Sequence, residues 1–420
     1  TSSDSRAWIQ CDLPAGAWSA VATSSDGLKV IAGSYRGYFH VSSDGGLTWS
    51  AKMTDASREW TCAACSADGS TIIVGNGGGQ GERHIYISRD GGATWIQHLD
   101  SRWWQGVACS ADGSTIIASA DNSKLFVTSN YGLTWQESAS TQKWTSVTTS
   151  ADGVRMAANT WFDSNAGTYI SSDSGRNWSL NIAGKRSSIK YSADGRKLFA
   201  TGGDYQTNGY IHISNDYAVT WQTTGGIKKW CSISCSSDGV NLIAGDLAGG
   251  LYVSSDSGLN WISQNPVTQW AGVSSVASSA DGYRLFAVEY GGRVYRAAVL
   301  PVINMQPVNV TKNLGAQATF SLTASYAAIY QWRKNGVDIP NATSNTLTLT
   351  DVQFSDAASY TVRITNSGGS VISSAAILTV VVPDTDGDGL SDTDETDVYR
   401  TDPTKMDTDS DGLVARGHQR

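Results

Sequence analysis

Charge is sparse in this chain. Only 16% of its 420 residues are Asp, Glu, Lys or Arg, and there are 7 prolines and 5 histidines. A coiled coil, a long-helix protein or a disordered chain would need far more charge, so those classes are excluded. No run of eighteen apolar residues exists, so no helical segment spans a membrane. The opening TSSDSRAW has neither the basic nor the apolar region of a secretory leader, so the chain reads as cytosolic or already processed. A basic stripe is also missing. From Asp384 onward there are eleven acids and four bases, a net of −7, which leaves −1 of the total −8 for residues 1–383. A nearly neutral bulk has nothing to offer a nucleic-acid backbone.

Glycine (44) and tryptophan (16) are abundant instead, and both recur with a period. Asp-Gly turns begin at Asp26, Asp68, Asp112, Asp152, Asp194, Asp238 and Asp281, at steps of 40 to 44 residues, each after Ser-Ser or Ser-Ala. A second marker is a Trp closing a polar turn, at Trp49, Trp95, Trp135, Trp178, Trp221 and Trp261. Each unit holds four short strand-like runs, as in WSAVATS, KVIAGS, YFHVSS and TWSAKM. Four strands per unit of roughly forty residues predict propeller blades in an all-β protein. The seventh unit stops before its closing Trp, and the N-terminal SSDSRAWIQC supplies the missing piece with Trp8. The expectation is a seven-bladed ring over 1–300, closed by an N-terminal strand that leaves no free edge.

The turns SSDGGLTW and SRDGGATW fit the pattern S-x-D-x-G-x-T-W in full: Ser42, Asp44, Gly46, Thr48 and Trp49, then Ser88, Asp90, Gly92, Thr94 and Trp95. This resembles the Asp-box of sialidase/BNR-repeat propellers. The others drift, with Asn130 for the Asp, Ala218 for the Gly, and Asn177 and Asn260 for the Thr. The resemblance implies a fold rather than an activity, and it implies that these turns lie opposite the active face. It disfavours sialidase chemistry, because no Arg-Ile-Pro element is present and the usual sialidase ring has six blades. A xyloglucanase-like enzyme would use two such propellers, and one is present.

The opposite rim should therefore carry function. Eight residues before each turn Asp stand Trp18, Trp60, Trp104, Trp144 and Trp230, with Arg186 in the fifth unit. Trp270 joins this series if three residues are inserted. Such a ring reads either as blade packing or as a platform on which sugars stack. Just past the second strand stand the carboxylates Asp121, Asp204, Asp246 and Glu289. The same loops are lengthened at 75–84, 161–167 and 202–209, adding Arg83, Trp161, Asp163 and Tyr205. Long loops on one rim commonly form a binding face. Paired carboxylates there would allow glycoside hydrolysis if their separation suited it. The six cysteines form no zinc or redox pattern. Cys65, Cys109 and Cys235 share one repeat position, which reads as buried free thiols; a bridge from Cys11 stays open.

The grammar changes after Ala298. Over 301–382 the runs ATFSLTAS, YQWRKNG, NTLTLTD, SYTVRITN and AAILTVVV resemble an immunoglobulin-like sandwich. The resemblance makes Trp332 its core Trp and Asp356 with Tyr360 its tyrosine corner, and it puts Leu322 and Val362 where a disulfide would be. Over 383–420, Asp384, Asp386, Asp388, Asp392 and Glu395 stand at positions 1, 3, 5, 9 and 12, with Gly389 at 6. That is calcium-loop spacing. A second half-loop offers Asp407, Asp409 and Asp411, then departs from the pattern at Ala415 and His418. The pair resembles thrombospondin type 3 repeats of secreted bacterial proteins, which implies a calcium cofactor and an extracellular address. The expected function is glycan or surface binding; a polysaccharide hydrolase is the alternative.

Overall fold

The computed structural model describes residues 6, 8–78, 83–160, 165–203, 207–264, 272–327 and 329–407. The chain forms two compact units, Thr1–Val299 and Leu300–Arg420. The first is all-β, built from seven four-stranded antiparallel blades. Blade one is Gly16–Thr23, Val30–Gly37, Phe39–Ser42 and Ser50–Lys52. Blades two to six repeat that order from Arg58–Cys65, Trp104–Cys109, Trp144–Thr149, Arg186–Tyr191 and Trp230–Cys235. Blade seven takes three strands from Val273–Ser278, Arg284–Gly292 and Val294–Ala298. Its fourth is Trp8–Gln10, which pairs Trp8 with Ala297. The first and last blades are thus stitched together by the chain terminus.

Blade stacking explains the weak hydrophobic alternation. Second strands such as Ile72–Asn76, Ile116–Ala120 and Leu242–Asp246 are buried at every residue, because neighbouring blades cover both faces. The hydrophobic clusters accordingly straddle blades: Cys62, Ile73 and Ile85 of blade two pack with Trp104, Ile116 and Phe126 of blade three. Outer strands such as Ser50–Lys52 and Ile96–His98 are largely exposed.

The Asp-Gly turns do more than reverse the chain. Each Asp accepts from its own Ser hydroxyl and from a turn N–H, as with Ser24 and Leu28 on Asp26. The Gly that follows has φ between 62° and 77° in all seven turns, a left-handed conformation that favours glycine. Backbone N–H groups then link turn to turn at 2.7 to 2.9 Å: Ser25 to Ala67, Ala111, Ala151, Ala193, Ser237, Ala280 and back to Ser25. This closed ring of seven bonds fixes the blade count directly. A second belt runs at the other end of the inner strands. Ser19, Thr61, Thr145, Ser187, Cys231 and Ser274 each donate to a carbonyl at the start of the next blade's inner strand, the first to Trp60 and the last to Trp18.

In the second unit, the main sheet runs in the order Val310–Asn313, Ala376–Val381, Ser359–Asn366, Ile329–Lys334, Val337–Asp338, with Gly369–Ile372 also on Ser359–Asn366. Two further strand pairs, Ala318–Ser321 with Thr346–Leu349 and Val302–Met305 with Thr323–Ser325, complete the sandwich. Trp332, Tyr360, Leu322 and Val362 share one core at 0–1% exposure. The Tyr360 hydroxyl donates to the Asp356 carbonyl at 2.9 Å, which is the expected corner.

Candidate functional site at the loop-side mouth of the channel

The two rims differ in kind. At one, each of the six described Trp-closing turns touches the Asp-Gly turn of its own blade, as Gly45 N–H does with the Leu28 carbonyl. Inside these turns the Asp is consumed locally. Asp216 accepts from the Thr220 hydroxyl, the Thr220 N–H and Ser214, and these bonds hold its pKa down at about 2. Such saturated carboxylates are scaffold.

The tryptophans at the other rim are scaffold as well. Trp18, Trp60, Trp104, Trp144 and Trp230 are all at or below 1% exposure, so no face of their rings is open to a sugar. This corrects the stacking-platform expectation. Each indole instead meets the edge or face of an aromatic on the third strand of its own blade: His40, Tyr86, Phe126, Tyr169 and Tyr252, at centroid distances of 5.1 to 5.8 Å. Blade seven has Val273 at this register, opposite Glu289 as Trp230 is opposite Asp246. Trp270 is therefore not the seventh member, and it lies outside the described residues. In blade five the slot holds Arg186, buried to 5% exposure, with its Nη groups on the carbonyls of Lys185 and Ala183. Burial pulls its pKa down to about 10. Burial, then Arg186, lowers His212 to about 4.

Two of the predicted carboxylates share one register position, but each caps its own hairpin. Asp246, 4% exposed, accepts the N–H groups of Ala248 and Gly250. Glu289, also 4% exposed, accepts from the Arg293 N–H. Asp121 lies one residue farther along, beyond Ala120, which is the true counterpart of Asp246. Asp204, Tyr205, Trp161 and Asp163 lie outside the described residues. Arg83 sits over the Trp103 ring at 4.8 Å.

That one-residue offset defines a ring of positions of which the sequence reading named only Asp121 and Trp161. The residue just beyond the second-strand partner of the buried Trp is Tyr35, Gly77, Asp121, Trp161, Gly203, Leu247 and Tyr290 in blades one to seven. These residues differ from blade to blade, unlike the tryptophans. Tyr35, Leu247 and Tyr290 line an axial cavity of about 730 Å³ whose wall is otherwise the seven inner strands. Tyr290 is 56% exposed, and its ring lies 6.2 Å from that of Tyr35. The Glu59 carboxylate near Tyr35 raises the phenol pKa and accepts from Arg36 Nε at 3.1 Å. A signal was available in the sequence: counting one residue past each second strand and asking where the repeat breaks.

The cysteines are free, and those whose shifts are clear have raised pKa values because of burial. Cys62, Cys109 and Cys235 lie at about 12 and Cys11 at about 11. The bridge left open for Cys11 is absent.

In the second unit, one ligand atom each from Asp384, Asp386 and Asp388 lies within 4.8 Å of the others. Glu395 is fully buried beside them; desolvation, with Asp386, Asp388 and Asp392 as like charges, raises its pKa. Asp386 Oδ2, Asp388 Oδ2 and Glu395 Oε2 are buried without a hydrogen-bond partner. Asp392 is engaged by Thr385 through N–H and hydroxyl at 2.7 and 2.8 Å, which ties the loop's ends together. Unpartnered buried carboxylate oxygens are what a hard cation requires. Asp407 lies at the edge of the described residues, and Asp409 and Asp411 lie outside them.

Comparison with known proteins follows the two units. Three solved structures share the propeller fold. Hydrazine synthase of Kuenenia stuttgartiensis matches with a TM-score of 0.56 at 14% identity, over 69% of this chain and 97% of that one. YCF48 from Cyanidioschyzon merolae matches at 0.53 and 16%, over 70% and 98%. YCF48 bound to D1 peptide matches at 0.53 and 13%, over 71% and 98%. Among curated proteins, endoglucanase C of Cellulomonas fimi is 38% identical over 86 residues, which is 19% of this chain and 8% of that protein. The chain thus spans less than a tenth of that relative. The immunoglobulin-domain family matches residues 301–366, so the second unit carries an immunoglobulin domain after a seven-bladed propeller.

Proposed function

We propose that the propeller is an extracellular binding module that receives a glycan at its loop-side mouth, carried on an immunoglobulin domain stiffened by calcium. One observation carries the reading. On a rim where the tryptophans are buried and Asp246 and Glu289 cap their own turns, the register position one residue farther along presents two tyrosines over an open cavity. Aromatic faces with polar tips suit the C–H faces and hydroxyls of sugar rings. Asp121, on the same ring of positions, supplies a hydroxyl acceptor. The partial likeness to an endoglucanase supports a glucan as the first ligand to try. Calcium is supported by the three unpartnered oxygens around Asp386, Asp388 and Glu395, and a calcium site of the kind extracellular modules carry supports an address outside the cell.

A glycan array followed by calorimetry on the best hit tests this. Binding should fall by about tenfold or more in Tyr35→Ala and Tyr290→Ala and stay within about twofold of wild type in Asp246→Asn. Equal binding by all three variants refutes the mouth as the site.

A further inference from the structure

We propose that the axial channel holds a small oxyanion, a carboxylate or phosphate group, with Lys190 as its fixed positive charge. Lys190 lies on the inner strand Arg186–Tyr191 and is the exposed residue of that strand. The register fixes its counterparts in the other blades as Ala22, Ala64, Ala108, Thr148, Ser234 and Ala277. Six blades therefore keep this position small, and one puts an ammonium group into the lumen.

The cavity walls themselves carry no carboxylate among the described residues. Lys190 lines both the main cavity and a smaller one of about 160 Å³ at the Asp-Gly end of the axis. It stands at the neck between them, with Thr23, Cys65, Cys109, Thr149 and Ser278. Lys190 makes no hydrogen bond or ion pair among those residues. The turn aspartates nearest this end, such as Asp194 and Asp238, keep their charge but direct their bonded oxygens to Ser192 and Ser236 and to their own turn N–H groups. A cation in a lumen walled by low-dielectric strands focuses its field on an anion more strongly than one on a flat surface. Hydroxyl groups on the wall, once rotated, can donate to the same ligand.

The test titrates sodium phosphate and, separately, sodium acetate into the intact chain at constant ionic strength, by calorimetry. In parallel, acylation of Lys190 is followed by peptide mass spectrometry, with exposed lysines as internal controls. Saturable one-to-one heat from either salt, with Lys190 acylation slowed about tenfold at about ten times Kd, is the expected result. Phosphate alone identifies the doubly charged oxyanion; acetate as well identifies a carboxylate. Lys190→Ala, which restores the residue of four other blades, should keep the fold and abolish the heat, and Lys190→Arg should retain it. No saturable heat from either salt, or unchanged binding by Lys190→Ala, overturns the proposal. Neither outcome depends on whether a glycan binds at the mouth.

Discussion

Two aromatic residues on the same rim should respond oppositely to truncation. Trp104 is completely buried. Its indole donates to the Arg83 carbonyl at 3.3 Å and meets the Phe126 ring at 5.5 Å, inside a cluster shared by blades two and three. Trp104→Ala removes that ring from a site walled by two blades, which cannot collapse without opening their interface. The expected loss is about 3–5 kcal/mol, or a fall in Tm of roughly 6–10 °C for a unit of this size. Tyr290 is 56% exposed, so Tyr290→Ala should change stability by no more than about 0.5 kcal/mol while removing an anchor of the proposed ligand. Thermal unfolding followed by circular dichroism, beside glycan titration, separates the two. If Trp104→Ala unfolds at the wild-type temperature, or if Tyr290→Ala loses as much stability as Trp104→Ala, the division into a buried ring and a working ring is wrong.

Other outcomes follow from the same geometry. Native protein should be almost inert to a thiol-specific disulfide reagent, because burial raises thiol pKa values to about 12 at Cys62, Cys109 and Cys235; all six thiols should react in guanidinium. For Asp216 the folded pKa of about 2 lies below the ordinary 3.8. Its contribution is therefore complete above pH 3.8 and is lost as pH falls toward 2, and an acid titration followed by intrinsic fluorescence gives the unfolding midpoint to which it contributes. Thr220→Val, which deletes the hydroxyl bond, should shift that midpoint upward. Glu395→Gln and Asp388→Asn should each weaken calcium binding by about tenfold or more in a chelator competition assay, and wild type should gain protease resistance over 384–401 when calcium is added. Tyr360→Phe removes one buried hydrogen bond, to Asp356, and should cost about 1 kcal/mol in denaturant unfolding.

The repeat made most of the fold legible. The spacing of Asp-Gly turns gave seven units, the incomplete seventh unit predicted that Trp8 would close it, and Trp332 with Tyr360 marked the sandwich core. These are local signals: a turn needs its Asp and Gly wherever it stands, and a blade needs four strands whatever surrounds it. The site was less readable. Trp18 and its counterparts look the same in sequence whether they face a ligand or a neighbouring blade, and only the stacking of two blades buries them. Asp246 and Glu289 read in the sequence as open carboxylates, and only the folded hairpins show Asp246 Oδ1 accepting from Ala248 and Gly250 and Glu289 Oε2 accepting from Arg293.

Composition and period alone thus established the architecture, because turn chemistry and strand length act over a few residues. Closure of the ring decided the rest. It brought Tyr35 and Tyr290, more than two hundred and fifty residues apart, to within 6.2 Å, and it turned one strand's Lys190 into the charge of a shared lumen. Those juxtapositions arise from the curvature of seven packed blades, a property that no single repeat carries.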